Sequence, residues 1–398
     1  MRALLLLTTT LLVAAASAFL GVQLASRRPQ PQPEIAPADP LPEPAFSRTP
    51  VGGGAQGKGG TGPELVESAP PGLQPRWAEL NAMAIRALEA GELERAVALF
   101  EQCVNGVADE PVFRRNLAEA LARRALHRRE RENPCPRCLE DLGRAVELAP
   151  AREDLARLLE RWRAEAELER GFWREGSQHF DLAYDGDRSE ILHGSHRLLE
   201  ELEAGYTDMA EMFGVLPVER GTGRVRVVLY RREGFDALTG LGEWAGGAFD
   251  GTVRIPIEDL AREEGAVRTV LRHELAHAFI LASGGPGVPG WLNEGLAQWL
   301  ETGREQALEQ ARATLSGAEP FPLEDLQGSL SRWEDAALVS RAYAQSLLLV
   351  AHLVEQYGER VPFALVAGCK AGRPPERTFH DLTRLALGEA LGELAPRR

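Results

Sequence analysis

The hydrophobic pattern divides the chain into four stretches. Residues 3–25 form an apolar run without a charged side chain. From about Pro29 to Pro75 no helical or strand period survives among the prolines and glycines. From Trp77 apolar residues recur at helical spacing: Ala84, Leu88, Ala96, Phe100 and Cys103, then Leu117, Ala120 and Leu121, then Leu142 and Ala145. A further helical pattern runs from Arg152 to about Arg170. After that the period alternates between 2 and 3.6. His179 to Tyr184 alternates like a strand, Ser189 to Phe213 is a long helical pattern, and Val225 to Tyr230 is a β run. Gly246 to Pro256 reads as one bent strand before an apolar helix around Val270 to Phe279. A Gly/Pro turn, Gly284 to Gly290, leads into a second helix that offers Leu292, Leu296, Trp299 and Leu300 for burial, and Ala342 to Leu353 is helical again. These elements predict an α+β chain with an α-helical domain followed by a mixed domain holding a small sheet.

The ends of the apolar run give it an address. Arg2 precedes it, Arg27 and Arg28 follow it, and Ala16-Ser17-Ala18 fits a small-x-small cleavage site. The run is also long enough to cross a bilayer, which takes about 20 residues. Residues 1–26 are therefore read as a signal peptide or a membrane anchor acting through residues 3–25, and both remain open. Either one predicts an exported, periplasmic or otherwise extracytoplasmic protein, secreted or membrane-anchored. Residues 27–76, with stretches such as Pro29-Gln30-Pro31-Gln32-Pro33, bury too little apolar surface to offset ordering entropy and read as a disordered linker. The net charge of −14 argues against a nucleic-acid partner, which wants a basic face.

Residues 77–170 contain Ala87-Leu88-Glu89-Ala90-Gly91-Glu92-Leu93-Glu94-Arg95-Ala96 followed by Phe100. This run resembles a tetratricopeptide repeat, in which a small residue at the turn lets two helices cross closely. A looser second copy carries an insertion from Arg128 to Arg137. The resemblance implies a concave surface for a protein partner or a substrate segment; a spacer packed on the next domain is the alternative. Cys135-Pro136-Arg137-Cys138 lies in the insertion without the second cysteine pair of a zinc knuckle, and in an exported protein it reads as a local disulfide.

Candidate chemistry concentrates in residues 171–398. His273-Glu274-Leu275-Ala276-His277 is H-E-x-x-H within a helix-compatible run. Histidines at i and i+4 share a helical face, so one metal ion can take both, with Glu274 beside them to handle a proton. A catalytic site wants a third protein ligand. Trp291-Leu292-Asn293-Glu294-Gly295-Leu296-Ala297 follows the turn, and a carboxylate buried in such a run needs a positive partner. H-E-x-x-H followed by W-L-x-E-G-x-A resembles the gluzincin metallopeptidases with peptidase MA-like domains. The resemblance implies a zincin-type fold with one Zn²⁺ per chain, His273, His277 and Glu294 as ligands, and Glu274 as general base. It further implies a cleft-edge strand near Gly247 to Asp250 and, from aminopeptidase relatives, Tyr343 as a donor to the oxyanion. Thermolysin-like relatives place an Asp one turn after the ligand Glu to orient a histidine. Here that position is Gln298, which leaves Asn293 or Glu301 for the task. His352, His193 and His196 have no motif around them and read as ordinary core or surface residues.

Three functions remain open at this level. The first is an exported zinc endopeptidase acting on a polypeptide substrate, with helical repeats for docking. The second is an inactive zinc-binding domain in a repeat scaffold. The third is a zinc hydrolase of small esters or amides. The intact Glu274 favours the first and third.

Overall fold

The structure is a computed structural model and describes residues 67–129, 135–187, 189–217, 223–239, 247–249, 251–258, 260–333 and 335–394. The apolar run 3–25 and most of the linker lie outside these residues. The described chain divides into two compact units, one ending at Arg170 and one beginning at Gly171.

The first unit is helical. Helices α1 (Pro75–Glu89), α2 (Leu93–Gly106), α3 (Pro111–Arg129), α4 (Pro136–Leu148) and α5 (Glu153–Leu168) pack each on the next in chain order. Proline opens α1, α3 and α4, where its missing N–H has no intrahelical partner to lose. Gly91, at φ 76°, makes the tight turn between α1 and α2. The seam is filled by Ala84, Ala96, Phe100, Leu117, Leu121, Leu142 and Ala145, all fully buried. A charge network closes one flank. Arg124 grips the Asp141 carboxylate with two bonds of 2.9 and 2.7 Å, and both Arg124 and Arg128 reach Glu94.

Two expectations change here. The segment just before α1 is packed: the Glu67 amide donates to Asn116 Oδ1 at 2.9 Å, Arg115 holds the Glu67 carboxylate, and Ala69 and Leu73 pack against Cys103, Val112 and Phe113. Glu67 to Gln74 thus sits on the helices, and Pro75 and Arg76 already belong to α1, so the linker read from composition reaches too far. The insertion is likewise shorter than Arg128 to Arg137, because Arg129 still belongs to α3 and Pro136 opens α4. Cys135 and Cys138 are joined as a disulfide, with both residues buried at the start of α4.

The second unit is α+β and mostly helical. Its sheet runs β1 (Phe172–Gly176), β2 (Phe180–Asp185), β3 (Val225–Tyr230), β5 (Thr252–Pro256), β4 (Ala248–Phe249). β2, β3 and β5 are parallel, and β1 and β4 are antiparallel at the edges. The register aligns Leu182, Val227 and Val253 on one face. That face packs on α6 (Ser189–Phe213) and α8 (Leu260–Gly284). The opposite face, with Ala183, Val228 and Tyr230, is covered by Phe235 of α7 (Arg232–Thr239). β3 is buried along its whole length because both its faces are covered.

The stretch expected as one bent strand is a hairpin: Gly251, at φ 96°, turns β4 back antiparallel onto β5. After α8 come α9 (Gly290–Trp299), α10 (Arg304–Leu315), α11 (Ala336–Tyr357), α12 (Arg360–Lys370), α13 (Pro375–Thr383) and α14 (Leu387–Leu391). α11 is long and apolar enough to span a membrane, but Leu347, Leu349, Val350 and Leu353 are buried in the domain core. The fully buried Gln345 of α11 bonds both backbone groups of Phe321 and the Leu394 carbonyl, tying a loop and the last described turn to this helix.

Candidate metal centre

α8 presents His273 and His277 one turn apart, and α9 brings Glu294 to face them. The two Nε2 atoms lie 3.1 Å apart, and Glu294 Oε2 lies 3.5 Å from each. Ligand atoms about 2.0–2.1 Å from a tetrahedral ion lie roughly 3.4 Å apart, so this triangle has the dimensions of a zinc site. His273, His277 and Glu294 form the group among the described residues whose ligand atoms could hold a metal ion. Glu294 Oε2 is buried without a hydrogen-bond donor. A buried carboxylate oxygen with no donor is costly, and a cation at the centre of the triangle satisfies it. The donor set fits a metal.

Each histidine is held from behind. Glu301 Oε1 lies 2.7 Å from His273 Nδ1, and Asn293 Oδ1 lies 3.1 Å from His277 Nδ1. The task left open between Asn293 and Glu301 is divided, one residue to each ring. With Nδ1 occupied, both rings turn Nε2 to the centre. Gln298 does something else. Its Nε2 donates to the Glu294 carbonyl at 3.1 Å and to the Tyr343 carbonyl at 2.9 Å, linking α9 to α11.

Two glycines set the walls. A Cβ on Gly295 would lie 2.2 Å from the Ser346 carbonyl oxygen, so only glycine lets α9 approach α11 this closely. That approach brings the Tyr343 phenol against the Glu294 carboxylate. A Cβ on Gly247 would lie 2.7 Å from Glu274 Oε1 and 2.8 Å from Val270 Cγ1. The backbone entering β4 therefore runs against the face of α8 that carries Glu274. Gly247 to Phe249 thus lies beside the candidate base, whereas Asp250 falls outside the described residues.

The electrostatics follow from this crowding. Burial pushes Glu274 up to about 7, with His273 opposing and the Glu294 and Glu301 carboxylates adding to the rise. Burial would lower His273, but Glu294 and Glu301 raise it well above the usual imidazole value. His277 is lowered, chiefly by burial. Burial would raise Glu294, yet the two histidines bring it below the usual carboxylate value. Tyr343 is raised well above 10 by burial and by the surrounding carboxylates, so its phenol stays protonated.

The other histidines stand elsewhere. His352 Nε2 bonds the Ala390 carbonyl at 2.7 Å, tying α11 to α14, and His196 is exposed beside Glu200 on α6. The His193 side chain lies outside the described residues. His179, not singled out in the sequence, shares the Glu203 carboxylate with Ser177 and stacks on Tyr206 at 4.0 Å. Ser177 bonds Glu203 rather than the imidazole, so this cluster fastens the β1–β2 turn to α6 and has no activated hydroxyl.

No curated protein matches the chain. Residues 226–386 match the family model described as Peptidase MA superfamily, a span that contains Glu274, Tyr343 and all three candidate ligands. The second unit of this chain therefore carries a peptidase MA-like domain.

Proposed function

We propose that this protein is a zinc-dependent metallopeptidase, an endopeptidase acting on polypeptide substrates. The observation that carries the proposal is the convergence of two imidazole nitrogens and an undonated, buried carboxylate oxygen on one point beside Glu274.

His273, His277 and Glu294 would hold one Zn²⁺ per chain. When bound, the ion supplies a Lewis acid that polarises a carbonyl and lowers the pKa of water toward about 7. Glu274 is the general base. Its buried carboxylate beside the triangle takes a proton and returns it to the leaving amine. Tyr343 stays a phenol and donates a hydrogen bond to the substrate oxygen as negative charge grows on it. The backbone at Gly247 to Phe249 offers an extended substrate an edge to pair with, since β4 ends the sheet and no strand among the described residues covers its outer side.

The helices of the first unit serve as tetratricopeptide-like repeats that dock the substrate or a partner. The apolar run at residues 3–25 and the Cys135–Cys138 disulfide support an extracytoplasmic setting, where such a bond persists.

The test is cleavage of an unfolded protein such as casein by the zinc-loaded full-length chain. Wild type should cleave, Glu274→Gln should bind zinc without cleaving, and His277→Ala should do neither. Zinc-loaded wild type that leaves casein and other unfolded chains intact would move the assignment to a zinc-binding scaffold.

A further inference from the structure

The first unit grips a piece of its own chain by the backbone. Asn81 stands on α1 and Asn116 on α3, the opening helices of two successive helix pairs, and Asn116 Nδ2 donates to Asn81 Oδ1 at 3.0 Å. Together they hold both backbone groups of one residue. The Glu67 amide donates to Asn116 Oδ1 at 2.9 Å, and the Glu67 carbonyl accepts from Asn116 Nδ2 at 2.8 Å and from Asn81 Nδ2 at 3.1 Å. An extended residue turns its N–H and C=O to the same side, so the Asn116 carboxamide meets Glu67 much as a residue of a neighbouring strand would. Such a grip is blind to the side chain. Selectivity comes from its flanks: Arg115 holds the Glu67 carboxylate with bonds of 3.1 and 2.7 Å, and Ala69 and Leu73 pack against Cys103, Val112 and Phe113.

The site is built into the helices, whereas its occupant rests on the surface. Asparagine is a poor helix former, and a buried carboxamide is costly unless its polar atoms are paired. Asn81 and Asn116 are 1 % and 2 % exposed, and their pairing is completed by Glu67. Without an extended backbone over them, Asn116 Oδ1 and Asn81 Nδ2 lose these partners. The segment itself is lightly held. Glu67, Ser68, Pro71 and Gly72 are exposed, and the ion pair of Glu67 with Arg115 is open to water, where such pairs contribute little.

We propose that Asn81, Arg115 and Asn116 form a docking site for an extended polypeptide with acidic and apolar side chains, and that residues 67–73 fill it in cis as a competitor. This deepens the docking role proposed above for these helices and gives it an address. A segment tethered this closely acts at an effective concentration on the order of millimolar. A polypeptide in trans reaches the site only when its own concentration or contacts outweigh that hold, so dilute, weakly matching chains are turned away.

The experiment uses the full-length, metal-free chain and a fluorescent synthetic peptide of residues 64–74, titrated by anisotropy. Glu67→Pro with Leu73→Ser removes the amide donor and an apolar contact of the resident segment and leaves the site residues unchanged. This loosened chain should bind the peptide at least about 10-fold more tightly than wild type. Adding Asn116→Ala, or Arg115→Ala at its exposed position, should reverse the gain, and a peptide with proline in place of Glu67 should not bind. If Asn116→Ala unfolds the helices, as far-UV circular dichroism would show, Arg115→Ala carries the test. A loosened chain that binds the peptide no better than wild type, or a gain that survives Arg115→Ala, would overturn the proposal and leave these residues a fixed cap on the helices. Binding is read without metal, so failure here leaves the casein test standing, and failure there leaves this one.

Discussion

Glu274 shows what the site costs the fold. It is 6 % exposed, and burial raises its carboxyl from 4.5 to about 7. A group whose pKa is higher in the folded state than in the unfolded state favours folding while it is protonated. That contribution is complete below about 4.5 and is lost as pH rises through about 7. At pH 8 the metal-free protein therefore holds a carboxylate that would rather be in water. Glu274→Gln removes the charge and keeps the shape. The metal-free variant should be more stable than wild type at pH 8 by about 3 kcal/mol, and the gap should close as pH falls toward 5. Urea unfolding of the two proteins across that range measures it. A wild type at least as stable as the variant at pH 8 would contradict the burial argument. A divalent cation beside the carboxylate lowers its pKa, so the gap should narrow when metal is supplied.

Among the elements, the pair α9 and α11 decides whether the site assembles. Gly295 meets the Ser346 carbonyl, a backbone atom that cannot swing away. Gly295→Ala should cost about 1–3 kcal/mol by overpacking and move Tyr343 away from Glu294. Gly287→Ala is the control, because nothing lies within 4 Å of a Cβ there. Thermal unfolding should show a lower midpoint for the first variant and little change for the second; equal midpoints would mean that α11 can shift to make room. The ligand helices were legible in the sequence because helical period alone puts His273 and His277 on one face, and a buried Glu294 needs a cation. The partners behind the rings were not. Whether Asn293 or Glu301 meets a given imidazole depends on the rotation of α9 about its axis and on where its C-terminal turn lands, and no short-range pattern encodes either. Gln298 was visible as a departure, but its bond to the Tyr343 carbonyl joins residues far apart in sequence. The β4–β5 hairpin was missed because β4 is two residues long and the turn at Gly251 sits inside a run of strand-forming residues. β1 was missed because its Trp173, Arg174 and Gly176 are exposed, which blurs any alternation.

At the scale of the whole molecule, two places among the described residues have residue types found at zinc sites. One is the His273, His277 and Glu294 triangle. The other is Cys135-Pro136-Arg137-Cys138, whose sulfurs are joined to each other and buried at the start of α4. A disulfide offers no thiolate to a metal. The full-length chain should therefore take up one zinc through nitrogen and oxygen alone. X-ray absorption at the zinc edge of the loaded protein reads this directly. The expected first shell is nitrogen and oxygen at about 2.0–2.1 Å with the outer scattering of two imidazole rings. Sulfur neighbours at about 2.3 Å, or a shell without imidazole, would place the metal elsewhere and contradict the assignment of the site.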